Sequence, residues 1–453
     1  MPLDKSGLRN VIIVAPEFTP SSYPPALRAR FFAQHLAEFG WNPIVLTTHS
    51  RNYAVPADLE NEKLLDPELE VVRTHALPLK WTRRLGFTDI SLRTLGPHWR
   101  ALNAICRSRK IDLIFISVPP NFAIVLGRLA LARFGIPYIL DYNDPIISGH
   151  YDDLPRNQRP PKWGVVRRLY GILEPFALRR ADQIVGVADS YMAGLFTNYP
   201  WLRGMRTTAI PFGVEPGDFE YVRAHPQKNS IFNSRDGFFH ISHVGAGGPQ
   251  MANVLRAFFK GVHKLRQSSP ELFRKVRMHF VGTTYAANSE QYQILPYAQE
   301  FGLDDLVQEQ PKRVPHLEAI QLMLESNALV IVGSEAPHYT ASKIFPCMLA
   351  GKPLLAVLHE ESHAGKLLQE LNAGTAVTFG STRPLTSIHE EIAGAVRELV
   401  CAPPDWRPAT LWDKFEPYTA RAVTARLAEV FDRSVRSESA AEASRAMRPE
   451  FLK

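Results

Sequence analysis

The sequence predicts an α/β protein made of two doubly wound, Rossmann-like domains in tandem, facing a cleft. Three observations predict it. Short runs rich in Val, Ile and Leu alternate with segments of helical periodicity, the pattern of a parallel sheet covered on both faces. At 453 residues the chain is too long for one core and fits two domains of roughly 200 residues each. Proline and polar residues gather between 211 and 237 and divide the alternation into two series.

The first series opens with the buried strand Asn10–Ala15 and a proline-rich loop, Pro16–Pro25. Ala26–Phe39 then places Leu27, Phe31, Phe32, Leu36 and Phe39 at helical intervals, and Gly40 ends the helix. Strands follow at Asn42–Thr47, where Pro43 suggests an early or edge position, and at Glu70–His75. Asp112–Val118 is a strand, Pro119-Pro120-Asn121 opens a helix to Phe134, and Tyr138–Tyr142 is the next strand. A helix around Val166–Arg179 precedes the strand Gln183–Val187.

The second series begins with the strand Phe238–Val244 and the helix Asn253–Leu265. It continues through strand Val276–Val281, helix Gln291–Phe301, strand Leu306–Glu309, helix Leu317–Leu324 and strand Ala328–Val332. Ser342–Val357 reads as a polar loop, a short helix, a Gly351-Lys352-Pro353 break and a buried strand. Trp412–Arg433 has a helical pattern, and Arg436–Lys453 is rich in Ser, Ala, Glu and Arg. The expected division is therefore 1–210, a linker over 211–237, a second domain over 238–411, a returning helix over 412–435 and a disordered tail over 436–453.

Composition narrows the function classes. A 45% hydrophobic, 21% charged balance is that of an ordinary globular chain. Cys106, Cys347 and Cys401 are widely spaced, without a CxxC pair or a nearby His cluster, which argues against structural zinc or a disulfide framework. The polar Met1–Asn10 segment has no signal-peptide pattern, and no apolar run reaches the length of a membrane span, so a cytoplasmic protein is expected. The net charge of +7 resides in the first half, where residues 1–180 hold 24 Lys and Arg against 16 Asp and Glu. It concentrates in Arg73–Lys110, among Trp81, Leu85, Phe87, Ile90, Leu92, Leu95 and Trp99. Two readings stay open for that stretch: docking on an anionic membrane surface, or a solvated basic helix with its apolar side facing the core. No nucleic-acid-binding motif accompanies the charge.

In doubly wound folds ligands bind beyond the carboxyl ends of the strands. In the first series those ends carry Ser21, Ser22 and Tyr23, then Arg28 in the following helix, and later Asp141 and Asp144. Two carboxylates three residues apart suit hydroxyl recognition or proton handling, although Asp141 equally suits pinning the strand end. In the second series the ends carry Gly245-Ala246-Gly247-Gly248, Gly282, and Gly333–Ala341 leading into Ser342 and Lys343. Glycines permit close backbone approach, and a lysine in the first turn of a helix adds charge to its electropositive end, so a phosphate-bearing ligand fits.

Ala181–Ser190, Ile210–Phe219 and Ser342–Ala356 resemble, in order and spacing, the landmarks of family-4-type glycosyltransferases of GT-B fold. The Pro24-Pro25 loop, the Gly40-Trp41 turn and Asp141-x-x-Asp144-Pro145 resemble that family's first domain, and the likeness spans about residues 10–435. The resemblance implies transfer of a sugar from a nucleotide sugar with retention, without a cofactor or metal, to a glycan or lipid-linked acceptor in surface polysaccharide or glycolipid synthesis. The first domain would bind the acceptor through Ser21, Ser22, Tyr23, Arg28, Asp141 and Asp144. The second would bind the donor through Gly245, Ala246, Gly247, Gly248, Gly282, Glu335, His338, Thr340, Ser342 and Lys343. Asp144 and Lys343 would be catalytic, Asp144 orienting the acceptor hydroxyl and Lys343 stabilising the leaving diphosphate. The protein would work at the inner face of the plasma membrane. The family's two glutamates, eight positions apart, correspond here to His338 and Pro346, with Glu335 three residues before the first. An inactive nucleotide-sugar-binding relative and a nucleotide-sugar epimerase remain alternatives.

Overall fold

The computed structural model describes residues 7–54, 57–84, 88–147, 163–284, 290–336, 342–403 and 405–446. The chain forms two compact units, one of residues 1–212 with 420–453 and one of residues 213–419.

The first unit contains a parallel sheet of β1 (Arg9–Val14), β2 (Trp41–Thr48), β3 (Glu70–Thr74), β4 (Leu113–Val118), β5 (Tyr138–Tyr142), β6 (Gln183–Gly186) and β7 (Thr207–Ala209). Their order is β3-β2-β1-β4-β5-β6-β7, so the winding reverses between β1 and β4. The helices are α1 (Pro24–His35), α2 (Leu79–Arg84), α3 (Ile90–Ser108), α4 (Ile124–Phe134), α5 (Trp163–Leu178) and α6 (Asp189–Asn198). Alternate side chains of the strands serve opposite faces, as the two-residue period requires. Ile12, Val14, Ile44, Leu46, Ile114 and Ile116 pack with Leu102 and Leu126 on one side. Val11, Ile13, Val45 and Phe115 pack with Phe32 on the other. β2 is internal despite Pro43. The first β3 partner is Ile44, paired with Glu70, so the N–H that Pro43 lacks faces no strand on that side.

The second unit contains β8 (Phe239–Val244), β9 (Val276–Val281), β10 (Val307–Gln310), β11 (Ala328–Val332), β12 (Leu354–His359) and β13 (Thr375–Phe379) in the parallel order β10-β9-β8-β11-β12-β13. Its helices are α7 (Pro216–Ala224), α8 (Ala252–Ser268), α9 (Leu295–Gln299), α10 (His316–Glu325), α11 (Ile344–Leu349), α12 (His363–Glu370), α13 (His389–Cys401) and α14 (Trp412–Phe415). Here the reversal falls between β8 and β11. The 211–237 segment is not all irregular: Pro216 starts α7, and Asp218 accepts from His316 of α10 at 2.9 Å.

The expected helix over Trp412–Arg433 is interrupted. Pro417 sits in a 3-10 turn, Glu416–Tyr418, and the chain resumes as α15 (Ala420–Ala446). α15 belongs to the first unit, with Val423, Leu427, Val430 and Phe431 fully buried against Val11, Phe32 and Trp41. Each such side chain contributes roughly 1.5–3 kcal/mol by leaving water. Gln183 of β6 donates to the Val430 carbonyl at 3.0 Å and to Ser434 at 2.7 Å, which ties the helix to the sheet.

Candidate functional site

The most developed polar arrangement in the second unit lies where its winding reverses. β8 ends in the Gly245–Gly248 loop, and β11 leads by way of residues 333–343 into α11. Lys343 stands at the N-cap of that six-residue helix. Its Nζ donates to the Ala246 carbonyl at 3.0 Å and lies 3.0 Å from His243 Nε2. His243 Nδ1 is 3.2 Å from the Val330 carbonyl, an acceptor only, so the proton sits on Nδ1 and Nε2 accepts from the lysine. Burial, then the Lys343 charge, push the His243 imidazolium well below its ordinary pKa, so the ring is neutral.

Two acceptors for an ammonium with three N–H groups leave a donor for a ligand. Burial brings the Lys343 pKa down to about 8, and the nearby Arg313 adds to the fall. Lys343 is half-buried, so part of it remains open to an incoming group. Arg313 follows β10 and packs under Gly282. Sequence reasoning missed it, though its place just past a strand end in Gln310-Pro311-Lys312-Arg313 was a usable signal.

The glycine amides are committed within the unit. The Gly245 and Gly247 amides donate to the Val281 and Thr283 carbonyls at 2.8 and 2.9 Å, so neither points at a ligand. Their smallness is what matters. A Cβ on Gly247 would collide with Ile294 Cδ1, and one on Gly245, with φ at +133°, would meet Lys343 Nζ at 3.3 Å. Glu309 holds Ile294 in place by accepting from the amides of Gln293, Ile294 and Leu295 at 2.7–2.9 Å and from the Thr283 hydroxyl. Glu335 is exposed beyond β11 and accepts from Asn253 Nδ2 at 2.7 Å. Ser342 is half-buried beside Lys343. His338 and Thr340 lie outside the described residues.

In the first unit the expected acceptor residues divide. Arg28 and Asp141 are 1% exposed and form a bidentate pair, with Arg28 Nε to Asp141 Oδ2 at 2.9 Å and Nη2 to Oδ1 at 3.0 Å. Arg28 Nη1 also donates to the Pro211 carbonyl at 2.6 Å. This pair frames the end of β5 and offers no free face to a ligand. Asp144 is exposed just beyond it. Ser21 is 7% exposed and donates to Glu17, while Ser22 and Tyr23 are half-buried where α1 begins. Glu17 was missed from the sequence: burial lifts its carboxyl to about 7, although the Ser21 hydroxyl opposes the shift.

The basic stretch is largely committed. Arg93 is buried, Arg109 is forked onto Glu70, and Leu92, Leu95 and Trp99 face the core. Leu77, Lys80, Trp81 and Arg83 remain exposed. Among the described residues no helix is long and apolar enough to cross a membrane.

Two doubly wound parallel units, with the last helix returned to the first, define a protein of GT-B fold. The glycosyl transferase 4-like domain model matches residues 25–213, which lie almost wholly in the first unit, in agreement with the sequence resemblance. No curated protein matches the chain. Among solved structures, it is similar to Anabaena Alr3699/HepE in complex with UDP and glucose, with 15% identity and a TM-score of 0.51 over 96% of this chain and 100% of that one. It is also similar to a UDP-forming α,α-trehalose-phosphate synthase from Burkholderia vietnamiensis, with 13% identity and a TM-score of 0.56 over 96% and 100%. A UDP-GlcNAc 2-epimerase from Methanocaldococcus jannaschii matches with 12% identity and a TM-score of 0.50 over 94% and 100%.

Proposed function

We propose that the protein transfers a sugar from a nucleotide-sugar donor, with retention, to a glycan or lipid-linked acceptor held by the first unit. The observation that carries the reading is Lys343, a partly enclosed ammonium with two hydrogen bonds to its own fold, standing where the strand order reverses. The donor's diphosphate would take the remaining N–H. Charge growing on that diphosphate as the glycosidic bond breaks would be met by Lys343 and Arg313, fixed before the reaction begins. Asp144 orients the acceptor hydroxyl, and the departing phosphate oxygen takes its proton. The reaction needs no resident cofactor or metal in this reading. Leu77, Lys80, Trp81 and Arg83 suit contact with an anionic membrane surface on the cytoplasmic side, where a surface polysaccharide or glycolipid acceptor would be met.

A second reading, nucleotide-sugar binding without turnover, draws on Pro346 and His338 standing where the family has glutamates. A thermal-shift screen over nucleoside diphosphates and nucleotide sugars, followed by assay of diphosphate release with extracted lipid acceptors, separates the two. A ligand at 100 times its Kd stabilises by about 2.7 kcal/mol. Stabilisation with release supports transfer, stabilisation without release supports the binding protein, and no stabilisation by any nucleotide refutes both.

A further inference from the structure

A second cationic cluster lies in the first unit, beyond the ends of β2 and β3. Thr48 and Thr74 are register partners at the ends of β2 and β3, so His49 and His75 leave the sheet side by side. Their rings stack with centroids 5.6 Å apart and planes 27° apart. The chain then turns through the 3-10 segment Ser50–Asn52, capped by His49 Nδ1, which accepts from the Arg51 amide at 3.4 Å. That turn brings Arg51 Nη2 to 3.0 and 3.1 Å from the two ring nitrogens of His75.

The arrangement is built from below. Arg93, 4% exposed, donates to the carbonyls of Leu77 and Asn52 at 2.9 and 3.4 Å. Asn52 Oδ1 accepts from the Ala76 amide at 3.1 Å. Both loops are thus tied to one buried guanidinium, and the side chains above them are held together rather than left to spread in water.

The local charge is one-sided. Arg51, His75 and Arg73 all oppose protonation of His49, and Glu62 alone favours it, while Glu62 already lies 3.3 Å from Arg73. Among the described residues no carboxylate pairs with Arg51. A guanidinium N–H is accepted by a neutral imidazole and repelled by a protonated one. An oxyanion placed among the three groups reverses that balance, since it takes charge-assisted hydrogen bonds from Arg51 and from both imidazoles at once. Arg73 Nη1 donates to the Thr19 carbonyl at 3.0 Å, so the cluster adjoins the loop that carries Ser21 and Ser22.

We propose that His49, Arg51 and His75 form a subsite for a phosphate or phosphate ester carried by the acceptor. The word acceptor rests on the glycosyl-transfer reading; the anion site rests on the cluster alone. The test uses the full chain and inorganic sulfate, which stays a dianion across the range, in calorimetric titrations at about pH 5.5 and about pH 8. Desolvation and the neighbouring cations hold His49 below its ordinary pKa, so the anion draws in protons and binds more tightly in acid. The expected result is at least about tenfold tighter binding at the lower pH, flattened in the Arg51→Ala/His75→Ala double variant and retained in Lys343→Ala. Competition by a soluble hexose phosphate assigns a free phosphate ester. Competition by phosphatidic acid vesicles, with none from phosphatidylcholine, assigns a lipid-borne one. Sulfate binding unchanged by the double substitution, or competed by neither probe, overturns the proposal. Nucleoside diphosphate binding, measured in the same variants, reports on the donor site separately.

Discussion

Nucleotide affinity should fall as the solution becomes alkaline, and one side chain should account for the fall. Lys343 has a pKa of about 8 in the free protein, lowered first by burial and then by Arg313. A diphosphate gains from the ammonium and not from the amine. The binding-competent fraction is roughly 0.9 at pH 7 and roughly 0.1 at pH 9, and the apparent Kd rises as the inverse of that fraction. The expected weakening is about tenfold, or about 1.4 kcal/mol. Lys343→Arg keeps its charge throughout and should bind with a flat profile. Calorimetric titration of a nucleoside diphosphate at several pH values measures both. The same shift has a consequence for the unliganded protein. Between about pH 8 and the ordinary lysine value of 10.5, the unfolded chain holds a proton at this site that the native chain has lost. Stability therefore rises with pH across that window, and the contribution should vanish in Lys343→Met. A wild-type affinity that stays flat from pH 7 to pH 9, or a Lys343→Arg profile with the same slope, would refute the placement of the diphosphate.

Three further predictions follow from the geometry of the two units. Gly247→Ala drives a methyl group into Ile294 and should cost about 1–3 kcal/mol of stability, read as a lower urea midpoint, with weaker nucleotide binding. Asp141→Asn leaves the buried Arg28 without its counter-charge and should cost about 3–5 kcal/mol, whereas loss of an exposed pair such as Lys63–Glu60 should cost under about 1 kcal/mol. Glu335→Gln, at an exposed carboxylate that accepts from Asn253, should leave the thermal midpoint unchanged. If Glu335 meets the donor's ribose, the same change should weaken binding of the nucleotide sugar by about tenfold, a charge-assisted hydrogen bond's worth. Unchanged binding would remove Glu335 from the donor site.

The fold was legible because its signal is local. Continuous apolar strands such as Leu113–Val118, separated by helices, require a sheet buried on both faces wherever the tertiary partners lie. The points of failure were also local: Pro417 breaks the last helix within a pattern that stays amphipathic around it, and α7 begins at a proline that reads equally as linker. Site positions were legible only as strand ends. Which way each side chain turns was not, because the partners are distant in sequence. Lys343 meets His243, Arg28 meets Asp141, and Glu17 feels Asp89, each pairing set by the folded sheet and not by spacing. The glycine amides show the same dependence: Gly245 and Gly247 donate to Val281 and Thr283, partners that no local spacing reveals.

Pro346 and Lys343 have to be understood together. Pro346 lies in the first turn of α11, where a missing N–H is tolerated, so it costs the helix little. What it removes is a carboxylate from the position where the resemblance places one. A carboxylate there would face the Lys343 ammonium across one helical turn and would compete with a diphosphate for it. In its place the lysine's two fixed partners are a neutral imidazole and a carbonyl, neither of which cancels its charge. Burial first, then Arg313, lowers the pKa of that ammonium, and it has more to gain from an incoming anion. Loss of the glutamate thus weakens the case for ribose recognition at α11 while strengthening the case for diphosphate recognition at Lys343. The two effects separate experimentally, since the first concerns the nucleoside and the second the phosphates.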